Sequence, residues 1–288
     1  MTPRQKPVNV SQVRQLSPFR YPGGKTWLIP VVREWFQSLG APPRLLLESF
    51  AGGAIVGLTA AAEGWVDHVR LVEMDDDIAA VWNLTIHGSD ADFEKFTEGI
   101  LAVDFTTENV RAIIDSRPRS AHKKALRTIV KNRAQRGGIM APGAGLMKGG
   151  EGGKGISSRW YPDTLVKRLT AIRAIRERLT FVQDDAVSEI EQHQGRDTVH
   201  FIDPPYTAGG KKAGSRLYTH NEVDHDRLFE AVQQCAGAAM LTYDDNEWVR
   251  EQSEKANFEL ATSTMQSTHL VTMHELVLLK ARRGMETP

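Results

Sequence analysis

Thr198-Val199-His200-Phe201-Ile202-Asp203-Pro204-Pro205-Tyr206 is the stretch that decides how this chain is read. Its first five residues, rich in β-branched and aromatic side chains, make a short buried strand. An acid follows, then two prolines that stop regular structure, then an aromatic ring. A carboxylate, fixed backbone carbonyls and a flat apolar face are thereby gathered at the carboxyl end of a strand. Open α/β folds place their ligand crevice at that edge. Acid, carbonyl and ring together suit a planar, amine-bearing group such as a nucleobase.

The same grammar recurs on either side. Residues 44–48 read as a short buried strand, followed by the turn Phe50-Ala51-Gly52-Gly53-Ala54 and an alanine-rich helix over 55–63. A second strand over 68–72 ends at Glu73, and 77–83 looks helical. This is a strand–turn–helix–strand unit of parallel-sheet type. Later, Phe181-Val182 leads to Asp184-Asp185, and a strand over 238–242 leads to Tyr243-Asp244-Asp245-Asn246. Each apolar strand ends in acids or amides, as strands lining one crevice should. The expected fold is α/β.

A different kind of segment separates the halves. Residues 93–114 and 121–132 are helical in pattern; glycine-rich loops follow at 137–145 and 148–155, then Arg159-Trp160-Tyr161-Pro162 and a basic helix over 165–179. So many glycines mark a surface element rather than core. The net charge of the chain is zero, yet residues 111–178 hold 17 Lys/Arg against 4 Asp/Glu. Charge segregated this way predicts a basic face for phosphates beside a more acidic body.

Length and composition set the outer bounds. The 288 residues, 41% apolar and 25% charged, suit a large globular domain with an insert. No apolar run reaches the roughly 18 residues of a membrane span, and the N-terminus lacks a signal-peptide core, so a cytoplasmic protein is expected. Residues 1–17 read as a loose polar arm. Cys235, the only cysteine, excludes an internal disulfide and cysteine metal clusters; it lies in an amphipathic helical pattern over 228–240, as a core residue would. His220, His225, His269 and His274 show no ligand spacing, so no metal is expected. Trp160 and Trp248 read as packing residues.

Two further motifs carry chemistry. Small residues in Glu48-Ser49-Phe50-Ala51-Gly52-Gly53-Ala54 let a ligand approach backbone N–H groups, and Glu73, about 20 residues on, sits where an acid accepts hydrogen bonds from ribose hydroxyls. Tyr21-Pro22-Gly23-Gly24-Lys25 offers a turn presenting an aromatic and a cation; it is not a Walker loop, and neither are residues 149–154.

Taken in order, these blocks resemble the Dam-like, alpha-ordered DNA adenine-N6 methyltransferases. The matching segments are Phe19 through Lys25, Glu48 through Ala54, Val72-Glu73-Met74-Asp75 and Asp203-Pro204-Pro205-Tyr206. Lys131-Asn132-Arg133 with Gly137-Gly138, and Leu241 through Asn246, also look like the family's segments. The likeness spans residues 18–250. It implies a Rossmann-like methyltransferase sheet with helices on both faces and a smaller, mainly helical and loop target-recognition insert. In that layout 18–104 is the cofactor-binding half, 105–178 the insert and 179–288 the catalytic half.

The resemblance also implies a cofactor, S-adenosylmethionine, held by Tyr21, Lys25, Glu48, Phe50, Gly52, Gly53, Glu73, Asp185 and Asp203. Asp184 competes with Asp185 for its place. Ala54 departs from the family's second glycine, which predicts a slightly shifted contact. Asp203, Pro204, Pro205 and Tyr206 would be catalytic. Asp203 and the Pro204 carbonyl would accept from the adenine amine while Tyr206 stacks on a base flipped out of the duplex. The expected partner is double-stranded DNA, with phosphates contacted by Arg133, Arg136, Lys148, Lys154 and Arg159. A companion restriction endonuclease, a monomeric state and an association with the nucleoid go with that reading. An RNA adenine-N6 methyltransferase and a catalytically inactive DNA-binding homologue are the rivals. A protein-glutamine methyltransferase is disfavoured by Asp203, where that group has Asn. A cytosine-C5 enzyme lacks its loop cysteine here.

Overall fold

The computed structural model describes residues 13–21, 23–150, 153–210, 219–220, 222–266 and 272–284. Pro22, Glu151, Gly152, His269 and residues 1–12 of the expected arm lie outside the described residues, as do the side chains of residues 263–274.

The strands are β1 (Leu45–Ser49), β2 (His68–Val72), β3 (Leu179–Val182), β4 (Thr198–Ile202), β5 (Ala239–Asp244), β6 (Glu259–Gln266) and β7 (Thr272–Lys280). The helices are α1 (Ile29–Ser38), α2 (Ile55–Glu63), α3 (Asp76–Trp82), α4 (Asp90–Ala102), α5 (Thr107–Asp115), α6 (Ala121–Ala134), α7 (Pro162–Arg173), α8 (Ala186–Gln192), α9 (His225–Gln234) and α10 (Glu247–Lys255). The strands form one sheet in the order β3-β2-β1-β4-β5-β7-β6. The first five are parallel, and β7 runs antiparallel to both β5 and β6.

Alternation along the strands buries both faces. Leu46, Val69, Phe181, Val199, Phe201 and Met240 face one core, shared with α1, α2, α3, α4 and α7. Leu47, Val72, Ile202, Leu241, Leu276 and Leu278 face the other, closed by α8, α9 and α10. A parallel sheet covered on both faces in this way is the Rossmann-like α/β layout expected from the sequence.

Chain order reverses between β1 and its neighbour β4. From β1 the chain moves outward through β2 to β3, and from β4 it moves the other way to β5. Glu48 pairs with Phe201 and Ser49 with Ile202, so the two strands end side by side. A crevice opens at such a switch point. Among the described residues no helix is long and apolar enough to cross a membrane.

Several boundaries differ from the expectation. The single helix expected over 93–114 is two, because Thr106 caps α5 by accepting from the Asn109 N–H at 3.3 Å. The helix expected over 165–179 ends at Arg173, and Leu179 already belongs to β3. The helical pattern over 228–240 overshoots as well. Cys235 is the C-terminal cap of α9, and Gly237 turns the chain into β5. A Cβ on Gly237 would lie 1.7 Å from the Thr198 carbonyl oxygen, so a glycine is needed there. Cys235 itself is fully buried, and burial pushes its thiol up to about 11, as suits an inert core residue. The arm is not loose at its end: Val13 and Leu16 are buried in the first core.

Candidate active site

A cleft of about 580 Å³ opens where β1 and β4 end, within the size range of small-ligand sites. Glu48, Phe50 and Gly53 wall it after β1, Glu73 after β2, Asp185 after β3 and Asp203 after β4. Tyr21, Lys25, Asp184 and Pro205 line it too. The structure therefore brings to one cleft, from five separate segments, most of the residues expected to hold a cofactor or act on a substrate, while Gly52, Pro204 and Tyr206 lie behind its lining.

Asp203 is pinned on one side. Its Oδ1 accepts from the Thr242 hydroxyl at 2.7 Å and the Tyr206 hydroxyl at 3.0 Å, and it pairs with Lys25 Nζ at 2.9 Å. All three grip the same oxygen, which leaves Oδ2 as the acceptor they do not hold. Lys25 is only 3% exposed, so its charge depends on these partners. Burial pulls its pKa down, but Asp203 and Glu275 outweigh burial and the net direction is up. Nζ also donates to the Gly23 carbonyl at 2.8 Å and lies 5.2 Å from the centre of the Tyr206 ring. Behind that ring, Tyr243 stacks at 5.9 Å, and its hydroxyl is 3.0 Å from His225 Nδ1. His225 Nε2 in turn lies 3.0 Å from the Thr207 hydroxyl, tying the loop after the tetrad to α9.

Glu275, on β7, was not foreseen. Its side chain is 5% exposed and its Oε2 lies 3.6 Å from Lys25 Nζ. Burial, and then repulsion from Asp203, push its pKa up to about 7 against the pull of Lys25. The apolar run Leu276-Val277-Leu278-Leu279 was the available signal: a strand there places the acid before it beside the site.

The turn after β1 is built for close approach. Phe50, Gly52 and Ala54 all have positive φ, at 60°, 46° and 50°. A Cβ on Gly52 would meet the Tyr21 ring at 2.7 Å, so the glycine lets the aromatic lie directly on the turn. Ala54 holds a left-handed conformation that costs an alanine about 1–2 kcal/mol, which is the physical content of its departure from glycine. Glu73 fastens the turn. Oε2 accepts from Gly52 N at 2.9 Å, and Oε1 accepts from Met74 N at 2.8 Å and Asp75 N at 3.0 Å. Burial still leaves the Glu73 pKa above its ordinary value.

Glu48 is buried one turn deeper. Its Oε2 accepts from Gly57 N at 2.6 Å, and burial pushes its pKa up to about 8, so it is largely a neutral acid at pH 7. Asp185 serves as the N-cap of α8, accepting from the Ser188 N–H at 2.8 Å, with Arg227 at 3.5 Å. Asp184 accepts from Asp185 N at 2.7 Å and shares the cleft wall.

The expected phosphate-contacting residues fall into two groups. Arg136, Lys148 and Lys154 are exposed. Arg133 is a correction. It is buried in the cleft wall, donates to the Pro18 carbonyl, and burial together with Arg168, Arg20 and Arg159 lowers its pKa to about 9. Arg159 is half-buried in the same wall. Trp160 stacks on Phe105 at 4.3 Å and Trp248 packs edge-on to Phe229 at 5.5 Å, so both are packing residues. Among the described residues no group of three His, Cys, Asp or Glu could hold a metal ion.

No family model matches the sequence, and no curated protein does. Among solved structures, an rRNA methyltransferase from Streptomyces viridochromogenes is similar over 97% of this chain and 96% of its own, at 11% identity and a TM-score of 0.44. A candidate RNA methyltransferase from Pyrococcus horikoshii is similar over 95% of this chain and 94% of its own, at 10% identity and a TM-score of 0.42. A candidate methyltransferase from Escherichia coli covers 92% of this chain and 91% of its own, at 12% identity and a TM-score of 0.41. At such identities and TM-scores the likeness carries no inference about activity or substrate.

Proposed function

We propose that this protein transfers a methyl group from S-adenosylmethionine to the N6 amine of an adenine flipped out of double-stranded DNA. The observation that carries the reading is the pinned carboxylate. Three donors, among them the Tyr206 hydroxyl, fix Asp203 Oδ1 while Oδ2 remains for an amine hydrogen. An exocyclic amine is a weak nucleophile because its lone pair is shared with the ring. Acceptors on both of its hydrogens localise that pair on nitrogen, and preorganised acceptors achieve this without reorganisation during reaction.

The residues present fit the cofactor. The Gly52–Gly53 turn leaves little room for a Cβ against Tyr21 and Ser17, and a half-buried carboxylate, Glu73, meets the cleft where ribose hydroxyls need an acceptor. Tyr21, Lys25, Glu73 and the turn after β1 would hold it. When bound, it supplies a methyl group on a positively charged sulfur. Asp203 and Pro204 orient the amine, and Tyr206 stacks on the base. Base stacking of about 1–3 kcal/mol offsets part of the few kcal/mol that flipping costs.

Incubation with radiolabelled cofactor and either duplex DNA or structured RNA tests the reading. Label is expected in DNA adenine, and Asp203→Ala is expected to lose at least 10²-fold in rate while remaining folded, with a lowered melting temperature because Lys25 loses a partner. Label in RNA alone would reassign the substrate. A near-normal rate in Asp203→Ala would remove the tetrad from the chemistry.

A further inference from the structure

Methyl transfer to an amine leaves a proton that must go somewhere. The amine nitrogen bonds to the methyl carbon as the methyl–sulfur bond breaks and its electron pair returns to sulfur. The nitrogen then carries one hydrogen too many. The acceptor at hand is Asp203, but a protonated Asp203 cannot orient the next amine. Two carboxylates, the half-buried Asp203 and the buried Glu275, share a single buried ammonium, that of Lys25, at 2.9 and 3.6 Å. One of the two carboxylates therefore lacks a compensating charge and is the place for a proton.

Resting on the methyl-transfer reading, we propose that Glu275 is the final proton acceptor of the reaction, reached from Asp203 through Lys25. Glu275 acts through Lys25, without touching the base. The passage balances. Lys25 hands one of its protons to Glu275 and takes the one on Asp203, so Asp203 returns to carboxylate, Lys25 returns to ammonium and Glu275 becomes the neutral acid. The geometry suits this. Lys25 Nζ lies between the two carboxylates, and Glu275 Oε2, 3.6 Å from Nζ, makes no shorter hydrogen bond among the described residues, so a lone pair is free to take the proton from Lys25. The Tyr206 hydroxyl, which already donates to Asp203, also bears on Glu275.

The groups facing Glu275 are Lys25 from the N-terminal segment, Asp203 and Tyr206 from the loop after β4, Asp244 as its register partner on β5, and Tyr243 beside it on that strand. Ser263 is its register partner on β6 and carries no charge. Burial holds both tyrosines well above their ordinary range, so neither titrates near neutrality. Lys25 moves in the direction that keeps it charged. Glu48, raised by burial to about 8 in the cleft wall, is a second carboxyl that ionises near this range.

The test is the single-turnover rate against pH with saturating cofactor, for the wild type, Glu275→Gln and Glu48→Gln. The acceptor must be ionised, so the wild-type rate is expected to rise about tenfold per pH unit below a midpoint near 7. Glu275→Gln is expected to lose that limb and to run at least tenfold slower at pH 8, with cofactor affinity unchanged. Glu48→Gln is expected to retain the limb. A limb kept in Glu275→Gln, or a wild-type rate flat between pH 5.5 and 8, overturns the proposal. Carbon-13 NMR of glutamate carboxyls gives a readout independent of turnover and of the variant's folding: the wild type should show one buried carboxyl titrating near 7. Its absence overturns the acceptor role, whereas a wild type that methylates neither DNA nor RNA yet shows that titration overturns the methyl-transfer reading instead.

Discussion

Glu48 shows how one buried acid shapes stability. Its carboxyl is raised from 4.5 to about 8 by burial, with Gly57 N opposing the shift. A raised carboxyl keeps its proton in the folded state while the unfolded chain loses it, so stability falls as pH rises from about 4.5 to about 8 and then levels off. The slope is at most about 1.4 kcal/mol per pH unit for one proton. Glu275 and Glu73 pull in the same direction, so the informative quantity is a difference. Glu48→Gln keeps an acceptor for Gly57 N and cannot ionise. Its urea midpoint should match the wild type near pH 4.5 and exceed it increasingly up to pH 8, and a constant offset across that range would contradict the raised carboxyl. Asp203, Tyr206 and Glu73 were legible in the sequence because each terminates or follows an apolar run, and Lys25 because it closes a glycine turn in a block that resembles the family's. Glu275 was not read because its role comes from pairing: β7 lies beside β5, where Glu275 meets Asp244, a residue 31 positions earlier in the chain.

At the scale of elements, helix α6 governs how the Tyr21–Lys25 side of the cleft is held. Asn132 grips the segment before Tyr21 from both sides, accepting from Arg20 N at 2.9 Å and donating to the Arg20 carbonyl at 2.8 Å. Arg168 on α7 donates to the Ser17 carbonyl at 2.9 Å. The insert is thus anchored to the very segment that carries Tyr21 and Lys25. Its glycines differ sharply in consequence. A Cβ on Gly138 would lie 2.1 Å from the Arg20 carbonyl oxygen, whereas one on Gly143 meets nothing within 4 Å; both have positive φ. Gly143→Ala should therefore cost about 1 kcal/mol, the backbone cost alone. Gly138→Ala should cost more than 2 kcal/mol and weaken cofactor binding, because the backbone of residue 20 must move. Equal melting temperatures and equal cofactor affinities for the two variants would refute this. The glycines were visible in the sequence as punctuation, but spacing cannot say which one faces a carbonyl. The same limit explains the helix boundaries: caps such as Thr106 and turns such as Gly237 act through contacts that periodicity does not register.

For the whole molecule, charge segregation translates into less free charge than the composition suggests. Arg127 and Lys131 both pair with Asp77 of α3, and Arg173 and Arg176 both pair with Asp90 of α4. Arg133 and Arg168 turn inward to the carbonyls of Pro18 and Ser17. Much of the basic count thus fastens the insert to the sheet domain. Arg136, Lys148 and Lys154 remain at the surface after Asn132 and Gly138 have fixed the start of the loop. Phosphate contacts by exposed cations release counterions, so affinity for duplex DNA should fall linearly in log–log form with salt, at a slope of about −0.9 per phosphate neutralised. Replacing Arg136, Lys148 and Lys154 together by alanine should lower the steepness by about 3 and weaken binding evenly across unrelated duplexes. Arg133→Ala should behave differently: it removes a buried support of the N-terminal segment, so stability should fall with little change in salt slope. An unchanged slope in the triple variant would place the nucleic-acid face elsewhere on the molecule, and a slope lost in Arg133→Ala would make that buried guanidinium a direct phosphate ligand.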